Sequence, residues 1–268
     1  DSSIAQQLVE KRPALKHISR LLDSIEALAI RQAHAVVAVC PALVDLAFKK
    51  NAKKVLLLQD ISLLDHCWPE HEVMDLRKDL NPGAYLLLYV GNMEKYQGID
   101  LLLSAFSQVR IQGLNAGLAV IGGQSEDIAH YQAQAAALGV ADRTFFIGPK
   151  PVNELGAYLS QADILVSPRV TGKNTPMKIY TYLSSGKALL ATRITSHTQV
   201  LDEDIAYLVE PTSQAMSEGI QDLCANKSLR CRLGQAGLKR AEKEHSFTNY
   251  RNKLITFYNS LQPKAKKM

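Results

Sequence analysis

Apolar residues in this chain fall into short unbroken runs, separated by longer segments in which they recur every three or four positions. The main series of runs is Tyr85–Val90 (YLLLYV), 118–121, 144–147, 164–166, 188–191 and 206–209. A short run with no polar alternation predicts a strand buried on both faces. The spacing between the runs predicts helices. GIDLLLSAFSQVR places Ile99, Leu103, Phe106 and Val109 on one face, with Gly113 as its stop. Ser125 is positioned to cap an alanine-rich helix that runs to Gly139. Further helices are expected over 153–160, 177–184 and 212–225. Strand followed by helix, repeated, predicts an α/β domain with a doubly wound parallel sheet over about 80–250. A shorter series precedes it: strands over 35–39 and 55–58, with a helix led by Pro41 (PALVDLAFKK) between them. One helix–strand–helix–strand unit is too little for a core of its own, so a partial second α/β unit is expected at the N-terminus. Residues 68–83, with Pro69 and Pro82, read as a boundary.

Length and composition narrow this picture. A chain of 268 residues accommodates about two domains. With 47% hydrophobic and 21% charged residues it is neither disordered nor a disulfide scaffold. No apolar run reaches the ~18 residues of a membrane span. The net charge of +5 resides partly in the terminal KAKKM, and aromatics are only 6%. That is not the basic, aromatic stripe of a nucleic-acid binder. Cys40, Cys67, Cys224 and Cys231 form no CxxC pair and read as buried or incidental thiols of a reducing cytoplasm. The histidines show no metal-ligand spacing, and Asp202-Glu203-Asp204 reads as a polar turn.

In an open parallel sheet, ligands bind beyond the carboxyl ends of the strands. Four segments converge there: Gly91-Asn92-Met93-Glu94-Lys95, Gly122-Gly123, Gly148-Pro149-Lys150, and the stretch from Ser167 to Lys178. Glycine turns let backbone N–H groups approach a phosphate. Lys95, Lys150, Arg169, Lys173 and Lys178 add positive charge at the same rim. In TGKNTPMKIYTYLSSGKALLAT, Asn174 and Thr175 form a loop and Pro176 enters the first helical turn. The helix from about Met177 then points its positive end at the crevice. Lys178 in that first turn opposes the helix dipole, which favours a ligand-facing role over a stabilising one. His197, after the run 188–191, either enters the crevice or merely starts a helix. Neither GxGxxG nor GxxxxGK[ST] occurs, so a dinucleotide dehydrogenase and a P-loop nucleotidase are disfavoured. An anionic nucleotide ligand fits charge and topology; no catalytic residue can be assigned.

These residues resemble a known family. VGNMEKYQGIDLLLSAF is similar to the segment that opens the C-terminal domain of family 4 (group 1) glycosyltransferases of the GT-B fold. SPRVTGKNTPMKIYTYLSSGKALLAT resembles their donor-sugar loop and helix, and HTQVL follows as in one bacterial subgroup. SSIAQQL and EALAIRQAHAVVAVCPAL resemble the end of that subgroup's N-terminal domain, and FTNYRNKLITFYNSL the helix that crosses back onto it. The resemblance implies a Rossmann-like donor-binding domain over 79–250, preceded by the remnant of an acceptor domain over 1–78 and followed by a crossover helix and basic tail over 251–268. It implies sugar transfer with retention, from a nucleotide-diphosphate sugar to a glycan or lipid-linked acceptor, in polysaccharide biosynthesis and without a cofactor or metal. Location would be cytoplasmic, with peripheral attachment to the inner membrane face as an option. By position, Gly91, Asn92 and Lys95 would face the diphosphate, with Gly122-Gly123 and Arg169 at the same rim. Asn174, Thr175, Pro176, Met177 and Lys178 would hold phosphates or sugar, Pro149 and Lys150 would lie near the base, and Thr181 would take a donor-contact position; His197 joins the candidate donor site from its place after the run 188–191 alone.

The chain departs from the family pattern in three places. Asn92 stands where many relatives carry arginine. Two glutamates separated by seven residues, which contact sugar and ribose, are replaced by Lys173 and Thr181. One hydroxyl does not replace a carboxylate that accepts two ribose hydroxyls. The front of the acceptor domain is not in this sequence, so the chain is expected to bind donor without turning over, and a second copy is one candidate cover for the open edge. Two other readings stay open at this point: a non-catalytic nucleotide-binding scaffold on the same fold, and a nucleotide-sugar epimerase with His197 as acid/base candidate.

Overall fold

The computed structural model describes residues 16–64 and 72–261; SSIAQQL, Cys67 and the basic KAKKM tail lie outside the described residues. The chain divides into two units. The first gathers the described residues up to Ile61, Gly172–Thr175, and those from His245 onward. It contains α1 (Lys16–Gln32), β1 (Val36–Ala38), α2 (Pro41–Lys49) and β2 (Val55–Leu57). Pro41 opens α2 as the sequence suggests, since the missing proline N–H is not needed in a first turn. β1 and β2 pair in parallel, with Val36 opposite Val55. The last helix, Phe247–Asn259, belongs to the same unit: Lys54 Nζ donates to Ser260 Oγ at 2.7 Å and lies 5.4 Å from the Phe257 ring centre.

The second unit is a six-stranded, all-parallel sheet. Its strands are β3 (Tyr85–Val90), β4 (Ala116–Ile121), β5 (Thr144–Gly148), β6 (Ile164–Ser167), β7 (Ala188–Thr192) and β8 (Tyr207–Val209). They lie in the order β5-β4-β3-β6-β7-β8. The helices between them are α3 (Ile99–Ile111), α4 (Ser125–Ala137), α5 (Leu155–Gln161), α6 (Lys178–Ser184) and α7 (Thr195–Thr198); α8 (Ser213–Ala225) and α9 (Lys227–Glu244) follow β8. Successive side chains of a strand point to opposite faces. Leu87 and Tyr89 of β3 therefore enter one core with α3, while Leu86 and Leu88 enter the other with α6. Both faces are dry, which is why the strands read as unbroken apolar runs. Ile99, Leu103, Phe106 and Val109 are all buried on α3, as their spacing requires. Each contributes about 1.5–3 kcal/mol by leaving water.

Two details differ from the sequence reading. The cap of α4 is Gln124, whose N–H donates to the Asp127 carboxylate at 3.1 Å; Ser125 is already helical. β4 begins two residues early, at Ala116, because Ala116 and Gly117 still pair with Tyr85 and Leu86. The polar stretch after residue 71 packs on this unit. Leu76 is buried, and its N–H donates to Gln161 Oε1 at 2.7 Å. Arg77 donates to the Asp163 carboxylate at 2.6 Å and to the Gln161 and Ala84 carbonyls. The division between units on this side falls at 61/62. Arg77→Ala is expected to lower stability by about 1–2 kcal/mol, because the bonds are charge-assisted but partly wet. Thermal unfolding would show a drop of ~2–8 °C.

Asp202 and Glu203 act in a structural turn. Asp202 accepts the Asp204 N–H at 3.1 Å and pairs with Arg240, while Glu203 pairs with Arg193. Among the described residues no helix is long and apolar enough to cross a membrane.

Candidate functional site

The strand order reverses at one place. From β3 the chain winds outward to β4 and β5, and from β6 outward to β7 and β8. The loops that leave the carboxyl ends of β3 and β6 therefore diverge and open a crevice between them. Gly91 follows β3; Pro168 and Arg169 follow β6. Val170 N–H donates to the Tyr96 carbonyl at 2.9 Å, and the Arg169 guanidinium stacks 4.9 Å from the Tyr96 ring centre. The two loops are thus fastened to each other.

Lys178, the first residue of α6, reaches the same point. Its ammonium lies 3.9 Å from the Tyr89 ring centre and donates to Gln97 Oε1 at 3.3 Å. A methyl group placed on Gly91 would come within 2.8 Å of Lys178 Nζ. One turn further along α6, the Tyr182 hydroxyl accepts the Val90 N–H at 2.7 Å, which pins the helix to the end of β3. Among the described residues no carboxylate pairs with Lys178. Burial, and after it the Arg169 charge, holds the Lys178 ammonium well below the usual lysine range. An amine in that condition regains its proton most readily when an anion arrives. The backbone N–H groups of Met177 and Lys178 have no acceptor among the described residues, whereas that of Ile179 donates to the Pro176 carbonyl.

Several expected site residues take other places. The Gly91 N–H donates to the Ile121 carbonyl, and the Gly122 N–H to the Gly148 carbonyl, both at 2.9 Å. These amides continue the sheet ladder and are not available to a phosphate. Gly123 packs against Met93. Asn92 is exposed, and its carbonyl accepts the Tyr89 hydroxyl at 2.6 Å. Lys95 points outward from the turn Lys95–Gln97; the turn buries Gln97 instead. Pro149 and Lys150 follow the edge strand β5, two strands and about 10 Å from β3. Thr181 is buried, and its hydroxyl accepts the Leu63 N–H at 3.1 Å, so it braces the segment before the sheet. Lys173, Asn174 and Thr175 group with the first unit, where Cys40 Sγ lies 3.6 Å from the Lys173 carbonyl oxygen. Met177 is 48% exposed, and Pro176 is buried.

His197 does not enter the crevice; it is fully buried. Its Nδ1 lies 2.8 Å from the Thr192 carbonyl oxygen, which can only accept, so Nδ1 carries the proton. Nε2 then accepts from the Ser167 hydroxyl at 2.9 Å. Burial, opposed by the Thr192 bond and assisted by the charges of Lys178 and Arg169, lowers its pKa to about 4. This removes the acid/base candidate for an epimerase. The unfolded chain takes up this proton near pH 6.5 and the folded chain only near 4. Stability is therefore complete above pH 6.5 and falls by up to about 3 kcal/mol between 6.5 and 4. Urea unfolding at pH 7 and pH 4.5 should show that loss in the wild type and much less of it in His197→Gln.

Sequence reasoning missed Tyr89 and Gln97, the two groups that hold Lys178. Tyr89 sits within an apolar strand run, and Gln97 in a polar turn, and neither context marks a site.

A family model described as glycosyl transferases group 1 matches residues 71–240. A D-inositol 3-phosphate glycosyltransferase from Corynebacterium diphtheriae is 23% identical over 163 residues, 58% of this chain and 38% of that protein. A lipopolysaccharide 1,2-N-acetylglucosaminetransferase from Salmonella typhimurium is 30% identical over 149 residues, 52% of this chain and 39% of that protein. The chain thus spans about two fifths of the length of these relatives. Among solved structures, Anabaena HepE in complex with UDP has a TM-score of 0.76 at 13% identity, over 91% of this chain and 69% of that one. The likeness to HepE is one of fold.

Proposed function

The chain belongs to the glycosyl transferases group 1 family, and from that premise we propose that the crevice between β3 and β6 holds the diphosphate of a nucleotide-diphosphate sugar. The observation that carries this reading is Lys178: a half-buried ammonium beside Arg169, with no carboxylate partner among the described residues, in the crevice where α/β sheets take ligands. The relatives named above are glycosyltransferases, and HepE was crystallised with UDP.

In a retaining transfer, the bond from the sugar's anomeric carbon to the diphosphate breaks. An acceptor oxygen bonds to that carbon on the same face, and the acceptor's proton passes to the departing phosphate. Negative charge builds on the diphosphate as it leaves. Lys178 and Arg169 would stabilise it there, aided by the Met177 and Lys178 amides, with the cations fixed before reaction. Glycan or lipid-linked acceptors fit the family, and the group that assists proton transfer is not assigned to a residue.

Calorimetry tests the reading. UDP, GDP and ADP are titrated into the chain, with inorganic pyrophosphate and UMP as controls. At least one diphosphate should bind below millimolar concentration, more tightly than UMP. No heat with any diphosphate at millimolar concentration contradicts it.

A further inference from the structure

His197 is tied to the crevice without entering it. Ser167 is the last residue of β6 and Thr192 the last of β7, and these strands are neighbours. The His197 ring joins them, accepting from the Ser167 hydroxyl and donating to the Thr192 carbonyl. The Thr192 hydroxyl lies 3.1 Å from Nδ1 and donates to the carbonyl oxygen of Arg169. Ser167, Thr192 and His197 are all 0% exposed, and Arg169 is 4% exposed. An apolar residue at 197 would fill the same space and leave the Ser167 hydroxyl without its acceptor and the Thr192 carbonyl without this donor, which costs more in a dry interior than the packing returns.

We propose that His197 is a positioning residue: its ring locks the ends of β6 and β7 and, through the Thr192 hydroxyl, sets the backbone of Arg169 and hence its guanidinium at the diphosphate crevice. The chain of bonds is continuous from the ring to the Arg169 carbonyl. The charged groups that act on the ring are Lys178 and Arg169, and both favour its neutral form. A neutral ring with its proton on Nδ1 is the form that accepts from Ser167 and donates to Thr192 at once. The ligand this arrangement serves is the diphosphate, so the affinity arm of the test rests on the reading above; the second arm does not.

Three variants separate positioning from mere support: His197→Leu, His197→Gln and Thr192→Val. Each is measured for UDP affinity by calorimetry, for the titration of Lys178 by NMR on carbon-13 lysine, and for thermal stability. His197→Leu should weaken UDP about tenfold, the worth of one displaced charged contact. It should also move the Lys178 titration upward by about half a unit as Arg169 drifts away. Thr192→Val keeps the ring's bonds to the Ser167 hydroxyl and the Thr192 carbonyl and removes the hydroxyl that joins Nδ1 to the Arg169 carbonyl, so it should shift both readouts the same way, with UDP about threefold weaker. His197→Gln can still accept from Ser167 and donate to Thr192 and should come within about threefold of the wild type. Variants that melt earlier while binding UDP and titrating Lys178 as the wild type does would overturn the proposal. If the wild type itself does not bind UDP, the donor reading fails and the Lys178 titration alone decides: an upward move supports positioning, and an unmoved one overturns it. If His197→Leu does not fold, Thr192→Val decides between the same two outcomes.

Discussion

Lys178→Met should weaken binding of a nucleoside diphosphate ten- to a hundredfold while making the unliganded protein more stable. The two effects have one cause. The ammonium is half-buried beside Arg169, with the Gln97 carboxamide and the Tyr89 ring as its neighbours among the described residues in place of a carboxylate. In the free protein that is a standing penalty; with a diphosphate present it becomes a charge-assisted contact of about 1.5–3 kcal/mol. Methionine matches the length of the stem and removes the charge. Replacing poorly compensated buried charge by apolar atoms stabilises by about 1 kcal/mol or more, or ~2–4 °C in Tm for a chain of this size. The pH dependence has a defined sign. Because the folded amine has the lower pKa, the unfolded chain binds the extra proton between the folded value and about 10.5. The penalty is full below the folded pKa and fades as pH rises toward 10.5. The stability advantage of the variant should therefore shrink with increasing pH. A variant that loses both stability and affinity would mean that Lys178 supports the fold.

Gly98→Ala should cost about 3–5 kcal/mol and lower Tm by roughly 10 °C. Gly98 has φ of +77° and caps α3; a Cβ there would lie 2.0 Å from the Pro168 carbonyl oxygen and 2.8 Å from its carbon. Backbone on both sides leaves no flexible side chain to give way, so either the turn before α3 or the loop carrying Arg169 must move. UDP affinity should fall with stability. Gly113→Ala is the control: φ is +81°, yet nothing lies within 4 Å. Only the left-handed backbone term of about 1 kcal/mol should remain. Equal losses for the two variants would show that the β3 and β6 loops are not locked together at Pro168.

The sheet was legible because its central strands are buried on both faces, leaving runs such as YLLLYV and ALLAT that no exposed helix would carry. The helix α9 was not. KSLRCRLGQAGLKRAEKE is strongly charged and holds Gly234 and Gly237, which weaken a helix in isolation. The fold buries both glycines against Gly186 and Leu183, a tertiary reason invisible in local sequence. In the crevice, Lys178 was marked by its unfavourable place in a first helical turn, and Arg169 by its position after a strand. Gly91 and Gly122 misled, because a glycine that lets loops approach each other reads the same as one that admits a phosphate. Lys95 is exposed, and the tight turn it opens, ended by Gly98, buries Gln97, a choice made by turn geometry that local sequence does not mark. Thr181 and His197, both expected at the donor site, are committed to holding protein segments together.

The most direct test is the Lys178 titration itself, followed by NMR on carbon-13 lysine with and without saturating UDP. The account predicts a low titration point in the free protein that moves sharply upward when the diphosphate is bound. A Lys178 signal that titrates at the same pH in both samples would contradict it.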